Sequence, residues 1–82
     1  MITELELIKL IESALEIEEG IINSGNKEWH AEWDSLGHLS ILVSLDKFLS
    51  GQCSNIKELS TATSIEAIKD VLKSNNLFED NS

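Results

Sequence analysis

The sequence predicts an all-α fold, a small four-helix bundle with three main helices and one short helix. Its 82 residues are enough for one domain only. Proline is absent, so no residue forces a break in a helix. Apolar residues recur three to four positions apart in three separate segments, which is the pattern of a helix with one buried face. With 41% hydrophobic residues, the chain can form a single core but no deep substrate cavity.

The first helix is predicted over residues 4–17. Its apolar side chains recur on one side of the helix, and its charged side chains, including Glu12, fall on the other. Thr3 and Glu6 have the spacing of a capping box, in which each side chain accepts a hydrogen bond from a free amide at the start of the helix. A long loop rich in glycine, asparagine and serine follows over residues 20–26, and loops of that length often carry function.

The second helix is predicted to begin at Ser35, with Asp34 as its N-cap and Gly51 as its stop. Apolar residues cover much of its circumference, so we expect this helix to lie at the centre of the bundle. Its predicted buried side consists of Leu36, Leu39, Leu42, Val43, Leu45 and Leu49, with Ile41 and Phe48 beside it.

The last third of the chain predicts a short helix over residues 56–59 and a final helix that Thr63 and Glu66 cap. We expect residues 3–76 to be structured and residues 79–82 to form a flexible tail. The 82 residues then form one domain, which we expect to be monomeric.

The composition limits the partners and the compartment. The chain has 15 acidic residues against 6 lysines, a formal charge of −9, which opposes binding to nucleic acids and to anionic membrane surfaces. A single cysteine, Cys53, forms neither an intramolecular disulfide nor a zinc site by itself, so we expect a reducing cytoplasm. The N-terminus does not have the pattern of a secretory signal, and no stretch is apolar enough to span a bilayer. We expect a soluble, cytoplasmic protein.

The acidic charge is unevenly distributed along the chain. Residues 1–34 hold nine acids and two lysines, whereas residues 35–60 hold two of each and are neutral overall. Long-range attraction to basic partners is therefore expected from the first part of the chain. Close contact at the second helix should depend more on shape and apolar side chains.

The segment that opens the second helix is the most informative about function. Its residues are Trp33, Asp34, Ser35, Leu36, Gly37, His38 and Leu39. The serine falls in the first turn of a helix, beside free backbone amides and the positive end of the helix dipole. A phosphate ester on its oxygen would be electrostatically favoured there. The simpler interpretation is that the aspartate and the serine only cap the helix.

The sequence Asp34-Ser35-Leu36, placed after a long loop and before an apolar helix in an acidic chain of this length, resembles the acyl carrier protein and peptidyl carrier protein family. The resemblance covers nearly the whole chain, including the order of the helices. It implies that Ser35 is esterified with 4′-phosphopantetheine, which a phosphopantetheinyl transferase donates from coenzyme A. The thiol of that arm would hold an acyl or aminoacyl group as a thioester.

The resemblance also implies partners and site residues. A loading enzyme for acyl or aminoacyl groups and a downstream transferase or synthase would visit the carrier, which has no catalytic activity of its own. Asp34 would cap the helix and help to orient the transferase and its metal, and Leu36 would contact the cofactor. The expected recognition surface for partners comprises Gly37, His38, Leu39, Ile41 and Leu42.

One departure from the family pattern bears on the pathway. Carriers of fatty acid synthesis have several acidic residues on the helix after the modified serine, whereas here Asp46 is followed by Lys47. We therefore expect a specialised pathway, such as polyketide, peptide, aminoacyl or surface-polysaccharide assembly.

Three other functions are compatible with single features of the sequence. Asp34, Ser35 and His38 include the residue types of a hydrolase triad, but a bundle this small offers no oxyanion hole or substrate cleft. His30, Asp34 and His38 are spaced four apart like metal ligands on one helix, but the helix is predicted to begin only at Asp34, so we expect no metal site. His38 is then expected to face solvent. In the third alternative, the chain is an unmodified acidic adaptor for a basic protein, and Ser35 is only a cap.

Two further side-chain types are expected to be structural. The indoles of Trp29 and Trp33 should attach the loop to the core. Cys53 has no basic neighbour in the sequence, so we expect a small, partly buried apolar residue and not the thiol that holds a thioester.

Overall fold

The structure, a computed structural model, describes residues 1–25, 28–53 and 55–79. Within these residues the main elements are three α-helices: α1 (Glu4–Ala14), α2 (Ser35–Phe48) and α3 (Ile65–Ser74). The connections contain three short 3₁₀ helices, Ile22–Ser24, Glu28–Glu32 and Lys57–Thr61. The chain is therefore a mostly helical globule, and the short helix predicted over residues 56–59 is a 3₁₀ helix one to two residues further along.

The start of α1 confirms the predicted capping box. The amide of Glu6 donates to Thr3 Oγ1 over 3.2 Å, and the amide of Thr3 donates to Glu6 Oε1 over 3.0 Å. The carboxylate of Glu6 accepts hydrogen bonds from the amide of Thr3 and, over 3.1 Å, from its hydroxyl, and these two bonds, the amide one first, lower the pKa of Glu6. Because a capping box joins residues only three apart, its sequence pattern was enough to predict it.

All three α-helices end with a left-handed residue that is not glycine: Glu16, Ser50 and Asn76. In each case the next amide donates to the carbonyl five positions back, over 3.0, 2.8 and 2.9 Å respectively. This is the bond pattern of a Schellman motif. It ends α1 at Ala14, three residues before the predicted end at 17, and no glycine in the sequence indicates that position.

The ends of the described chain meet in a small parallel sheet that the sequence did not predict. β1 (Ile2–Thr3) pairs with β2 (Phe78–Glu79), with Ile2 opposite Phe78 and Thr3 opposite Glu79. Glu79 therefore belongs to an ordered strand and not to the expected tail, while residues 80–82 lie outside the described residues.

The core draws on every α-helix and on β1. Its fully buried large side chains are Ile2, Leu7, Ile11, Ile41, Leu45, Ile68 and Leu72. The prediction for α2 was partly wrong, because Leu36, Leu39 and Val43 are exposed. Ile41, predicted beside the buried stripe, is at its centre together with Leu45 and Leu49. A helix that is apolar all round gives no periodic signal for which face packs inward.

Glu12 is another correction, because it is buried and not on the solvent side. Its Oε2 accepts hydrogen bonds from the amides of Gly20 and Ile22, over 2.9 and 3.2 Å. A buried carboxylate is stable when backbone amides satisfy it in this way. Glu12 thus fixes the start of the long loop against α1.

The N-cap of α3 lies one residue later than the sequence predicted. Ser64, not Thr63, is the N-cap of α3, because its hydroxyl accepts a hydrogen bond from the amide of Ala67 over 3.1 Å. Within the described residues, each helix is too short or too polar to cross a bilayer.

Candidate functional site

Ser35 is the first residue of α2, and its side chain is exposed. The cap is Asp34, whose Oδ1 accepts a hydrogen bond from the amide of Gly37 over 2.8 Å. The hydroxyl of Ser35 makes no hydrogen bond with any residue that the structure describes. The predicted cap is therefore confirmed, and the interpretation of Ser35 as a cap is wrong. Its oxygen faces solvent at the positive end of the helix dipole.

Gly37 is a packing residue at the site. A Cβ at this position would lie 2.5 Å from the carbonyl oxygen of Glu32 and 2.7 Å from Leu15 Cδ2. Both distances are far below a normal contact, so only glycine lets the loop and the end of α1 approach the first turn of α2. Gly37 was expected to contact partners, but it is half-buried beneath this loop.

Gly37→Ala provides a test of this close approach. On an ordinary helix, alanine is more stable than glycine by about 1 kcal/mol. Here the added methyl overlaps backbone, so we expect the free energy of unfolding to fall by about 1–3 kcal/mol. Urea unfolding measures it, with Ser40→Ala on the exposed side of α2 as a control that should be neutral or slightly stabilising. A more stable Gly37→Ala would contradict the packing.

His38 joins three parts of the chain. The indole Nε1 of Trp33 donates to His38 Nδ1 over 3.1 Å, and His38 Nε2 lies 3.0 Å from the carbonyl oxygen of Leu59. An indole nitrogen only donates, so Nδ1 must accept and the proton must be on Nε2, which donates to Leu59. His38 is therefore a neutral bridge from the preceding loop to the Lys57–Thr61 helix. The expectation that His38 faces solvent is corrected, because both ring nitrogens bond within the chain and the residue is half-buried. Its contact with partners stays a prediction.

The bridge also bears on the hydrolase and metal interpretations. His38 cannot accept a proton from Ser35 or bind a metal without losing its bond to Trp33 or Leu59. His30 instead packs against Trp29, with ring centroids 4.0 Å apart and the ring planes tilted by 38°. The described residues contain no group of three histidine, cysteine or acidic side chains arranged to hold a metal ion.

Trp29 is buried in the core, so its predicted role in attaching the loop is confirmed.

An exposed apolar strip runs along α2 beside Ser35. We define this strip as Leu36, Leu39 and Val43, which are 75%, 57% and 46% exposed. They recur at the spacing of one helix face. Ile41, expected on this recognition surface, is fully buried and cannot contact a partner, and Leu42 is half-buried. Sequence periodicity missed the strip because it assigned these three residues to the core.

A pocket of about 600 Å³ opens between α2 and the Lys57–Thr61 helix. It is lined by Leu42, Val43, Asp46, Lys47, Cys53, Ile56, Lys57, Leu59 and Ser60. At about 100° per residue, Leu42 and Asp46 lie within about 20° of the direction of Ser35 around the helix axis. The pocket therefore lies on the same side of α2 as the exposed hydroxyl.

Cys53, at one wall of this pocket, is buried, as the sequence predicted. Its burial, with a smaller contribution from the Asp46 carboxylate, raises the pKa of the thiol to about 11. The thiol is protonated at neutral pH, and a protonated thiol is a poor nucleophile. Its amide donates to Asp46 Oδ1 over 3.2 Å, which fixes the turn after α2.

This pKa predicts a pH dependence of stability. The thiol ionises near pH 9.0 when unperturbed and near pH 11 in the folded chain, so the folded state holds the proton more tightly between these values. We expect the free energy of unfolding to fall as pH rises from about 9 to about 11. In Cys53→Ala the decline over this interval should be shallower, which urea unfolding at a series of pH values measures. Equal slopes would contradict the raised pKa.

The site thus combines an exposed serine hydroxyl at a helix start, an aspartate cap, an apolar strip and a neighbouring pocket. Comparisons with models of protein families, with curated proteins and with solved structures find no match to this chain.

Proposed function

We propose that this chain is a carrier protein of the acyl carrier type. Ser35 holds 4′-phosphopantetheine, and the thiol of that arm carries an acyl or aminoacyl group as a thioester. The observation that supports this most is the exposed hydroxyl of Ser35 in the first turn of α2, with the capping role assigned to Asp34. The order of α1, α2, the Lys57–Thr61 helix and α3 is compatible with the four helices of a carrier-protein bundle.

The position of Ser35 suits attachment of a phosphate ester. In the transfer, Ser35 Oγ forms a bond to the phosphorus next to the pantetheine, the diphosphate bond of coenzyme A breaks, and adenosine 3′,5′-bisphosphate leaves. A base of the transferase takes the hydroxyl proton. The negative ester then lies at the positive end of α2, where helix amides and the dipole stabilise an anion.

The arm supplies a thiol that the described chain does not offer to solvent. Cys53 is buried and protonated, so it cannot form thioesters readily. A thiol on a long flexible arm instead presents one intermediate to several enzymes in turn. The carrier needs only an attachment point and a surface for those enzymes, and both lie at the start of α2.

The apolar strip supports contact with enzymes by shape and apolar burial. No acidic side chain lies on it, although the chain as a whole has a charge of −9. A few fully desolvated residues near the centre of an interface contribute most of the binding energy, and charges at its rim mainly affect the association rate. This arrangement fits enzymes of a specialised pathway better than enzymes that dock through basic patches.

The test is the intact mass after incubation with coenzyme A, magnesium and a broad-range phosphopantetheinyl transferase. We expect the mass to increase by one phosphopantetheinyl unit. Ser35→Ala should show no increase, while Ser40→Ala, which removes another exposed serine of α2, should be modified normally. No increase in the unaltered chain, or an equal increase in Ser35→Ala, would contradict the proposal and favour the unmodified adaptor.

A further inference from the structure

The pocket between α2 and the Lys57–Thr61 helix has an apolar wall with cationic groups beside it. Its apolar part is formed by Leu42, Val43, Cys53, Ile56 and Leu59. A volume of about 600 Å³ is within the usual range for small-molecule sites. The pocket can therefore hold a small aliphatic group.

The charge at this pocket is opposite to that of the chain as a whole. Lys47 and Lys57 both line it, and neither forms an ion pair with a residue that the structure describes. The acid in the lining is Asp46, and one of its oxygens already accepts a hydrogen bond from the amide of Cys53. Two ammonium groups face one carboxylate here, in a chain with 15 acids and 6 lysines. Such a local excess of positive charge attracts an anion.

The order of groups along α2 suggests how a ligand would lie. Leu42 is about 10 Å from Ser35 along the helix axis, and Lys47 is about 18 Å from it, at about 1.5 Å per residue. A group that approaches from Ser35 meets the apolar wall first and Lys47 one turn beyond Val43. An aliphatic chain with a charge at its far end matches this order.

We propose that the carried group is an acyl chain whose far end bears an anionic group such as a second carboxylate. The chain lies against the apolar wall of the pocket, and the anion lies between Lys47 and Lys57. This inference rests on the proposed carrier function. It decides between the acyl and the aminoacyl groups that the proposed function allows. A plain alkyl chain forms no ion pair with the ammonium groups of Lys47 and Lys57. The ammonium of an aminoacyl group is repelled by them.

The test uses the unmodified protein and two small esters. Monomethyl suberate ends in one carboxylate, and its methyl ester stands in for the thioester end. Dimethyl suberate has the same chain without the charge. In titrations followed by the amide NMR signals of Cys53 and Leu59, we expect the dissociation constant of the monoester to be about tenfold lower than that of the diester. The preference should shrink at high salt.

Lysine variants assign the preference to the pocket. In the double variant Lys47→Gln, Lys57→Gln, the two esters should bind equally, whereas Lys9→Gln, which removes an exposed lysine of α1, should keep the preference. Equal binding of the esters to the unaltered protein, tighter binding of the diester, or no binding of the monoester would overturn the inference. Because no arm is attached in this test, its outcome is separate from the mass experiment on Ser35, which tests the carrier function alone.

Discussion

Leu36→Asp should lower kcat/KM for transfer of the phosphopantetheine arm at least about a hundredfold while leaving the fold intact. Leu36 is 75% exposed and follows Ser35 directly, so a transferase that reaches the hydroxyl would cover it. An aspartate there would have to lose its hydration against an apolar surface. Because the leucine packs little within the chain, its replacement leaves no cavity.

Leu5→Asp is the matched control, since Leu5 is an exposed leucine of α1, 57% exposed and outside the apolar strip. It should be modified at the unaltered rate, and both variants should keep the helical circular dichroism and urea midpoint of the parent. Mass spectrometry at timed intervals gives the rates. Transfer to Leu36→Asp at the parent rate would contradict the role of the apolar strip in transferase contact.

His38→Ala should lower the free energy of unfolding by about 2–4 kcal/mol. The change leaves the indole N–H of Trp33 without its acceptor in a half-buried position. It also removes one of the two hydrogen bonds to the carbonyl of Leu59, which keeps the one from the amide of Ala62. It also separates the loop before Ser35 from the Lys57–Thr61 helix. Urea unfolding followed by tryptophan fluorescence measures the loss.

Two conservative variants distinguish the two bonds of His38. Asparagine can keep an acceptor for Trp33, and glutamine can keep a donor for Leu59, so each should lose less stability than alanine. Imidazole nitrogen NMR shifts of the parent should identify the neutral form with its proton on Nε2. A proton on Nδ1 instead, or a stability of His38→Ala equal to that of the parent, would contradict the bridge.

Local features of the fold could be predicted from sequence because they join residues close in the chain. Thr3 with Glu6, and Asp34 with Gly37, are caps that span three residues. Their side chains and the free amides of a first turn are sufficient to specify them. The same local information identified Ser35 as the start of α2.

Features that depend on distant contacts could not be predicted in this way. Ile41 and Leu36 are both apolar, and only the packing of α2 against α1 decides that the first is buried. Glu12 has the sequence appearance of a surface acid, and its burial depends on loop amides eight and ten residues away. For His38, the bond to Leu59 crosses 21 positions and has no sequence signal.

The pairing of β1 with β2 also depends on residues that are distant in the sequence. β1 and β2 have two residues each, too few for an alternating pattern, and they lie at opposite ends of the sequence. The ion pair between Lys69 and Glu4 adds a contact between α3 and the start of α1. Both features join elements that are far apart in the sequence, so sequence patterns do not indicate them.

The most direct test of the carrier function is the state of Ser35 in protein isolated from its own cells. Proteolysis and mass spectrometry of the peptide that contains Ser35 would detect the arm and any group on it. The account predicts a phosphopantetheinylated Ser35, with an acyl group that hydroxylamine releases from the thioester. An unmodified Ser35 in cells with an active phosphopantetheinyl transferase, or a modification on another residue, would contradict it.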